Sequence, residues 1–396
     1  MAGITAIGST FNLPNYHGEL LNITPVDTPL LSLSGGLNSG GQSADTEFEW
    51  SEFDLRDPEI RPRLEGADAP NPEARVRSAK SNIVQIFHEA VATTYTKQAA
   101  VERYAADSLN TGSSGSNAVR NEHAWQVEQS LIQIARDVNY VFWHSTYHKP
   151  TDNTTARRTR GLLQAIETNR SAAGEVTGVS TATDTVTSAS HGLSDGDKVV
   201  FTDTGASSAI RADRVYYVVS SASGTFKVAA TPGGTPITIG TATVSYVEAG
   251  TPLTVDTLNV FMQGVWDNGG ISQQETATLF VPSRQKRAIT AAYAAAYGQA
   301  DAMAGTRNVG GLDVTTVETD FGTLNLVLER ALPADAVALV DLSQINPVFL
   351  SIPGKGVLFE EELAKTGATD KTQIYGELGL KYGDERRHGV LRGLAV

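Results

Sequence analysis

Two short motifs contain residue types that could carry out acyl transfer. Ser283 and Lys286 fit the pattern S-x-x-K, and Lys365-Thr366-Gly367 fits K-T-G, as in penicillin-recognising serine enzymes. The third motif of that set, S-x-N or S-D-N, is absent between them. Because three-residue motifs arise readily by chance, we interpret Ser283 as a helix N-cap, and a serine hydrolase is the weakest functional hypothesis.

A histidine pair could contribute two metal ligands. His144 and His148 are four residues apart, at the end of a predicted helix. A zinc site needs a third ligand, and the motif H-E-x-x-H has a glutamate between its histidines, whereas Ser145, Thr146 and Tyr147 stand here. We therefore expect polar side chains at a fraying helix end and no metal site.

Other catalytic chemistry lacks its residues. The chain has no cysteine, which excludes disulfides, thiolate zinc sites, iron–sulfur clusters and cysteine nucleophiles. It has 37 glycines but no G-x-S-x-G, G-x-x-x-x-G-K-[ST] or G-x-G-x-x-G motif. The sequence therefore predicts no enzyme, and no catalytic, cofactor-binding or metal-binding residue.

Charged side chains are better candidates for function, as contacts between subunits. Arginines alternate with acids after residue 55, and the residues expected there at a contact with another copy are Arg56, Arg61, Arg63 and Glu65. A second cluster consists of Arg157, Arg158 and Arg160. This cluster could pair with carboxylates of a neighbouring copy, lie solvated on the surface or touch phosphate, and the first interpretation is favoured.

The composition indicates a surface that is partly covered. Of the 396 residues only 19% are charged, below the roughly 25% of ordinary soluble domains, and the formal net charge is -13. A repeating assembly of copies would cover such a surface. An acidic chain is a poor candidate for wrapping around nucleic acid, because contacts with phosphate need Lys and Arg. A shell of such chains could still enclose nucleic acid. No run approaches the ~18 apolar residues of a membrane helix, so no membrane partner is expected.

The segments that must position these residues differ in pattern. Residues 1–45 have little periodicity and indicate an extended arm that lies on something else. Residues 46–100 indicate two strands joined by a proline-rich tip, and a ribbon of two strands is marginal without a neighbour. Phe48 and Trp50 share one face of its first strand while Phe53 and Leu55 share the other, which predicts a bulge or bend.

The strongest helical pattern covers residues 116–146. Apolar residues recur there at spacings of three and four: Ala124, Val127, Leu131, Ile134, Val138, Val141 and Phe142. Residues 175–250 instead have short β-branched runs between turns, which predicts an all-β module inserted into one discontinuous domain. Residues 251–396 alternate strands, among them a buried strand ATLFVP, with an Ala-rich helix after Ser283 and a hairpin turning near Phe321-Gly322, so the predicted fold class is α+β.

Taken in order, these elements resemble the major capsid proteins of tailed bacteriophages, with the Hong Kong ninety-seven-type fold. The resemblance is most specific in ARRTRGLLQAI after the long helix, and in ETDFGTLNLVLERALPADAVALVDLSQI and ELAKTGATDKTQIYGELGLKYGDERRHGVLRGL further on. It covers residues 1–174 and 251–396. The β module is an addition and is itself similar to small modules of phage structural proteins.

The resemblance implies an α+β phage major capsid fold with defined parts. These are an N-terminal arm (1–45), an extended β-hairpin loop (46–100), the long spine helix with the first part of the peripheral domain (101–174), an inserted all-β domain (175–250), and the peripheral and axial domains (251–396), the axial domain drawn largely from 270–370. We expect that a chain without residues 1–40 folds but makes no shells.

The implied function is structural. Such a virion protein self-assembles as pentamers and hexamers into the icosahedral head shell that encloses packaged double-stranded DNA, without a cofactor or sequence-specific DNA contact. Its partners would be other copies, a separate scaffolding protein, a portal and decoration proteins, and it would assemble in the host bacterial cytoplasm. The alternative is a tail-fibre or adhesin component that binds surfaces through the β module. That alternative predicts module repeats and a trimeric coiled segment, which the sequence lacks.

Overall fold

A computed structural model describes residues 24–37, 40–56, 58–69, 74–98, 122–172, 176–182, 185–188, 191–204, 207–212, 214–240, 242–271, 277–301, 316–319, 321–365 and 367–396. Its helices are α1 (Pro29–Leu33), α2 (Glu122–His144), α3 (Leu162–Ala165), α4 (Val255–Asp267) and α5 (Ser283–Asp301). The first ten strands are β1 (Gly41–Ser43), β2 (Glu47–Phe53), β3 (Arg77–Ile83), β4 (Gln85–Thr94), β5 (Arg170–Ala172), β6 (Val176–Ala182), β7 (Val186–Thr187), β8 (Lys198–Asp203), β9 (Val215–Ala222) and β10 (Thr225–Ala229). The other nine are β11 (Ala242–Glu248), β12 (Ala277–Val281), β13 (Thr316–Thr319), β14 (Gly322–Leu328), β15 (Val337–Val340), β16 (Asn346–Leu350), β17 (Leu358–Glu362), β18 (Thr369–Lys381) and β19 (Gly389–Arg392).

The chain forms two compact units. His88–Ile134 and Leu358–Tyr375 make up most of the first, and Asp27–Phe87, Ala135–Val357 and Gly376–Val396 form the second. In the first unit β4 and β17 both pair with β18. The ring of His123 joins β4 to β18 by hydrogen bonds to Thr93 (2.9 Å) and Thr372 (2.7 Å). The segment expected to supply an axial domain, 270–370, is thus divided, since its last residues belong to this first unit.

A six-stranded sheet in the second unit contains its main core. The strand order is β13-β14-β12-β15-β19-β5, and apolar side chains of this sheet and of α4 and α5 form one buried cluster. The sequence predictions of a buried strand at β12, a helix from Ser283 and a hairpin before Phe321-Gly322 are confirmed. They succeed because each depends on a local pattern of apolar residues.

A closed six-stranded barrel occupies residues 176–248. Its strand order is β10-β7-β6-β11-β8-β9, with β9 pairing back onto β10. Phe201, Phe226 and Tyr246 are fully buried inside it, and two edge-to-face contacts join Phe226 to Tyr246 (5.0 Å) and Phe201 to Tyr216 (5.5 Å). The β-branched runs of the sequence form these strands because such side chains pack well on a pleated surface.

The long helix α2 is described from Glu122, so residues 116–121 of the predicted helix lie outside the described residues. Val127, Ile134 and Val138 are buried as predicted, but Leu131 is exposed. Trp143, which the pattern did not include, is fully buried and lies edge-on to Phe280, 5.3 Å away. Among the described residues, no helix is both long and apolar enough to cross a membrane.

The prediction of a bulge in the first ribbon strand is wrong. β2 pairs with β3 in unbroken register from Glu47–Ile83 to Phe53–Arg77. Phe48 and Trp50 are partly covered, whereas Phe53 and Leu55 are exposed, so both faces carry aromatic or aliphatic residues without any slip. The pattern misled because Phe53 and Leu55 are exposed at 66% and 67%, so neither side chain requires a change of face.

The predicted extended arm contains a short helix where the structure describes it, and residues 1–23 of the arm lie outside the described residues. α1 lies on its own unit, with Leu30 and Leu31 buried. The Leu31 N–H donates to Asn139 Oδ1 (3.1 Å), and the buried Glu329 carboxylate accepts from Leu30 N–H (3.4 Å) and Asn139 Nδ2 (3.2 Å). A chain without residues 1–40 would lose the burial of Leu30 and Leu31, so we expect the truncation to lower the stability of the fold, and its effect on shell formation stays a prediction.

Candidate assembly surface

The ribbon formed by β2 and β3, with the connecting segment 54–76, carries a set of exposed apolar side chains. They are Phe53, Leu55, Ile60, Leu64 and Val76, each between 66% and 95% exposed. The segment has no regular structure among its described residues, in keeping with Pro58 and Pro62. Isolated exposed apolar residues are ordinary, but five on one ribbon are typical of a contact surface.

The charged residues of the ribbon pair with one another beside these apolar positions. Glu59 accepts from both Arg56 Nη1 (2.9 Å) and Arg61 Nε (2.6 Å), and Arg63 donates to the Asp68 carbonyl (3.3 Å). Glu65 is exposed in a turn completed by Gly66, whose φ is 78°. The charge of Glu59, next to Ile60, is compensated by its two arginines, which lowers the desolvation penalty of covering this part of the surface.

Asn82 fixes the base of the ribbon. Its fully buried amide donates from Nδ2 to the carbonyls of Leu380 (2.7 Å) and Arg160 (3.2 Å), and Oδ1 accepts from the N–H groups of Arg160 (2.8 Å) and Ile83 (2.9 Å). All four hydrogen-bonding positions of the amide are therefore occupied. Asn82 thus joins β3 to both β18 and the segment before α3.

Aromatic packing holds the other ribbon strand. The ring of Trp50 lies edge-on to Tyr382 at 4.9 Å, and its Nε1 donates to Glu52 (2.9 Å) and to the Gly383 carbonyl (3.2 Å). Phe48 lies so close to β18 that a Cβ at Gly379 would be 2.7 Å from its ring. Only glycine fits there, so the Phe48 ring packs directly against the backbone of β18.

A pair at the start of β2 adds an electrostatic contact. Glu47 is paired with Lys149, and this hydrogen bond holds the pKa of the Glu47 carboxyl below its usual value. Burial raises the pKa of Tyr382, against the opposing effect of Arg160. The base of the ribbon therefore combines an ionised surface pair with a neutral phenol below it.

The second arginine cluster contacts β18 of its own subunit. Arg157 Nη2 pairs with Glu377 (2.8 Å), and the Arg160 guanidinium lies 5.0 Å above the Tyr147 ring and near Tyr382. Arg158 makes backbone hydrogen bonds with His148, and its side chain is exposed. The structure thus gives Arg157 and Arg160 internal partners, and a subunit contact at this cluster stays a prediction.

The motifs with catalytic residue types occupy structural positions. Ser283 is the exposed first residue of α5, and Lys365 pairs with Asp370 (2.6 Å); Thr366 lies outside the described residues. His144 donates to the Ala331 carbonyl and stacks on Tyr140, while His148 bonds Thr155 (3.1 Å). Within the described part of the chain, no group of His, Cys, Asp or Glu residues is arranged to hold a metal ion.

Comparison with known proteins identifies the family. The family model described as SU10 major capsid protein matches residues 3–395. The chain belongs to this capsid protein family. A search of curated proteins found no match. The chain is therefore a structural protein of a phage head shell, and the family does not support the tail-fibre or adhesin alternative.

Solved structures show that this capsid protein has the expected fold. The capsid asymmetric unit of cyanophage A-1(L) is similar with a TM-score of 0.55 at 13% identity, over 97% of this chain and 98% of that chain. The capsid of cyanophage P-SCSP1u gives 0.52 at 9% identity, over 97% and 93%. The capsid of a native GTA particle gives 0.51 at 10%, over 100% and 99%. The α+β, Hong Kong ninety-seven-type capsid fold is thereby confirmed.

Sequence reasoning missed the apolar part of the assembly surface. It selected charged residues of the ribbon, whereas Ile60 and Leu64 are the most exposed apolar side chains there. A signal was present, because a proline-rich segment that cannot form a helix has no evident core in which to bury them. Asn82 gave no signal, since one amide in a strand does not indicate its partners.

Proposed function

We propose that this capsid protein assembles as pentamers and hexamers, which close the head shell around packaged double-stranded DNA, and that the ribbon packs on an adjacent copy. The observation that carries the proposal is the set of exposed apolar residues on a ribbon whose base is fixed. Burying one such side chain is worth roughly 1.5–3 kcal/mol, so several together provide a substantial contact. The same contact repeats at every position in a closed shell.

Charged residues have a secondary role in this contact. Exposed ion pairs contribute about 0–1 kcal/mol each, so Arg56, Arg61, Arg63 and Glu65 set register and orientation more than affinity. The exposed Arg158 is the member of the second cluster that can reach a neighbour without losing an internal partner. These subunit contacts support assembly from identical copies.

Other partners follow from the family and from the charge of the chain. A net charge of -13 suits a shell that encloses DNA without binding its phosphates tightly, because phosphate contacts require Lys and Arg. A separate scaffolding protein, a portal and decoration proteins are the remaining proposed partners, with assembly in the host bacterial cytoplasm. A structural role of this kind needs no catalytic residue.

Substituting Ile60→Ser together with Leu64→Ser tests the ribbon contact. Both side chains are exposed in the subunit, so its thermal unfolding should be unchanged, whereas the association constant should fall at least about tenfold per contact. Particle formation is measured by light scattering and sedimentation. Val260→Ser, at another exposed apolar residue, is the matched control and should leave particles intact. Unchanged assembly of the double variant would contradict the proposed contact.

A further inference from the structure

The edge strand of the six-stranded sheet is interrupted by the barrel. β5 runs parallel to β19, with Ala172 opposite Arg392. On the far side of the barrel, Thr251 is opposite Leu394, also in parallel orientation. The chain therefore leaves the sheet at Ala172 and returns to it at Thr251. The residue opposite Thr251, Leu394, follows the residue opposite Ala172, Arg392, by two positions.

One residue, Gly250, lies between the two segments of the edge strand, which end at Ala172 and begin again at Thr251. Gly250 donates to the Gly393 carbonyl (3.2 Å), and Thr251 is held by the Ala395 N–H, which donates to its carbonyl (2.8 Å). Gly393 has a φ of 80°, so β19 is irregular at this position and a glycine opposite it causes no crowding. Joining Ala172 directly to Gly250 would therefore give a continuous edge strand in the existing register.

The barrel and the sheet have separate cores. One buried apolar cluster of the described residues draws only on residues 186–246, and another draws only on residues 253–394. A module that buries its apolar residues against one another does not leave the sheet with an exposed core when it is removed. This separation is what a dispensable insertion requires.

Polar contacts join the barrel to the rest of its unit. Arg392 Nη2 donates to the Ala212 carbonyl (2.8 Å), but its main partner is the buried Asp335 (2.8 Å), which remains if the barrel is removed. Lys198 donates to the Val396 carbonyl, and Arg211 lies over the Tyr140 ring at 5.7 Å. These contacts orient the barrel.

We infer that residues 173–249 are a separable module. The head-shell fold and its self-association are carried by the rest of the chain, and the Ala172–Gly250 junction is a point at which this fold accepts an independent domain. The barrel, held in a fixed orientation, performs a task other than building the shell.

Deleting residues 173–249 tests this inference. The shortened chain, with Ala172 joined to Gly250, should unfold in one cooperative transition and form particles of the same diameter as the full chain by electron microscopy. A second variant carries a short Gly-Ser linker at the junction, in case the direct joint is strained. A register control, with residues 173–252 deleted, removes Gly250 and Thr251 from the edge and should fold poorly. If both the direct and the linker variant are unfolded, or fold but make no particles where the full chain does, the inference is wrong.

Discussion

His388 is completely enclosed and uses both ring nitrogens. Nε2 donates to the Tyr382 carbonyl (2.7 Å), and Nδ1 accepts from the Asp341 N–H (3.2 Å), so the fold requires the neutral ring. Burial lowers the pKa of His388, against the opposing charges of Asp341, Asp384 and Glu385. The unfolded chain therefore binds a proton near pH 6.5, where the folded chain does not.

We predict that the free energy of unfolding falls as the pH is lowered below about 6.5, by up to about 1.4 kcal/mol per pH unit. Denaturant unfolding between pH 7.5 and 5.5 measures this slope, and His388→Gln should flatten it. The pKa of Glu385 is lowered despite burial, through hydrogen bonds from Thr168 and Glu167. Protonation of this carboxylate therefore reduces the free energy of unfolding only at a lower pH than that of His388. If the free energy of unfolding of the His388→Gln variant depended on pH as steeply as that of the unsubstituted protein, this role of His388 would be contradicted.

Single residues also mark the limit of prediction from sequence. The arginines at 157 and 160 were identified as notable, but their partners Glu377 and Tyr382 are 220 and 222 residues away. Asn82 bonds to Arg160 and Leu380, 78 and 298 residues away. No local pattern encodes such pairs, because they depend on how distant segments come together.

Elements were predictable where one apolar pattern determined them. β12, α5 and the β13–β14 hairpin have clear periodicity or a turn, and the structure contains them. α1 was missed because five residues are too few for a periodic signal, and its stability comes from tertiary contacts with Asn139 and Glu329. The predicted bulge is absent because alternating apolar residues identify a buried face only when that face packs within the same chain. Phe53 is exposed, so its position says nothing about which face of β2 is buried.

The buried helix α1 gives a prediction at this scale. Leu31→Ala should lower the free energy of unfolding by about 2–5 kcal/mol, because a buried leucine is replaced by a cavity. Leu33→Ala, in the same helix but 48% exposed, is the control and should cost less than about 1 kcal/mol. Thermal and denaturant unfolding compare the two. Equal effects would mean that α1 does not pack as described.

At the scale of the whole molecule, the chain combines packed cores with an exposed apolar ribbon that we propose another copy covers. The family assigns it to the head shell, and its exposed ribbon residues and low charged fraction agree with self-association. The order of the elements was enough to predict the fold from sequence. The proposed contact surface was only half predicted from sequence, since its charged residues were named and its exposed apolar residues were not.

The central claim, that the chain builds a closed shell from copies of itself, is tested most directly by negative-stain electron microscopy of the purified protein, with light scattering on the same sample. We predict uniform hollow particles of megadalton mass, formed by the chain alone or with a co-expressed scaffolding protein. A monomer or trimer that persists with every candidate scaffolding partner would contradict the account.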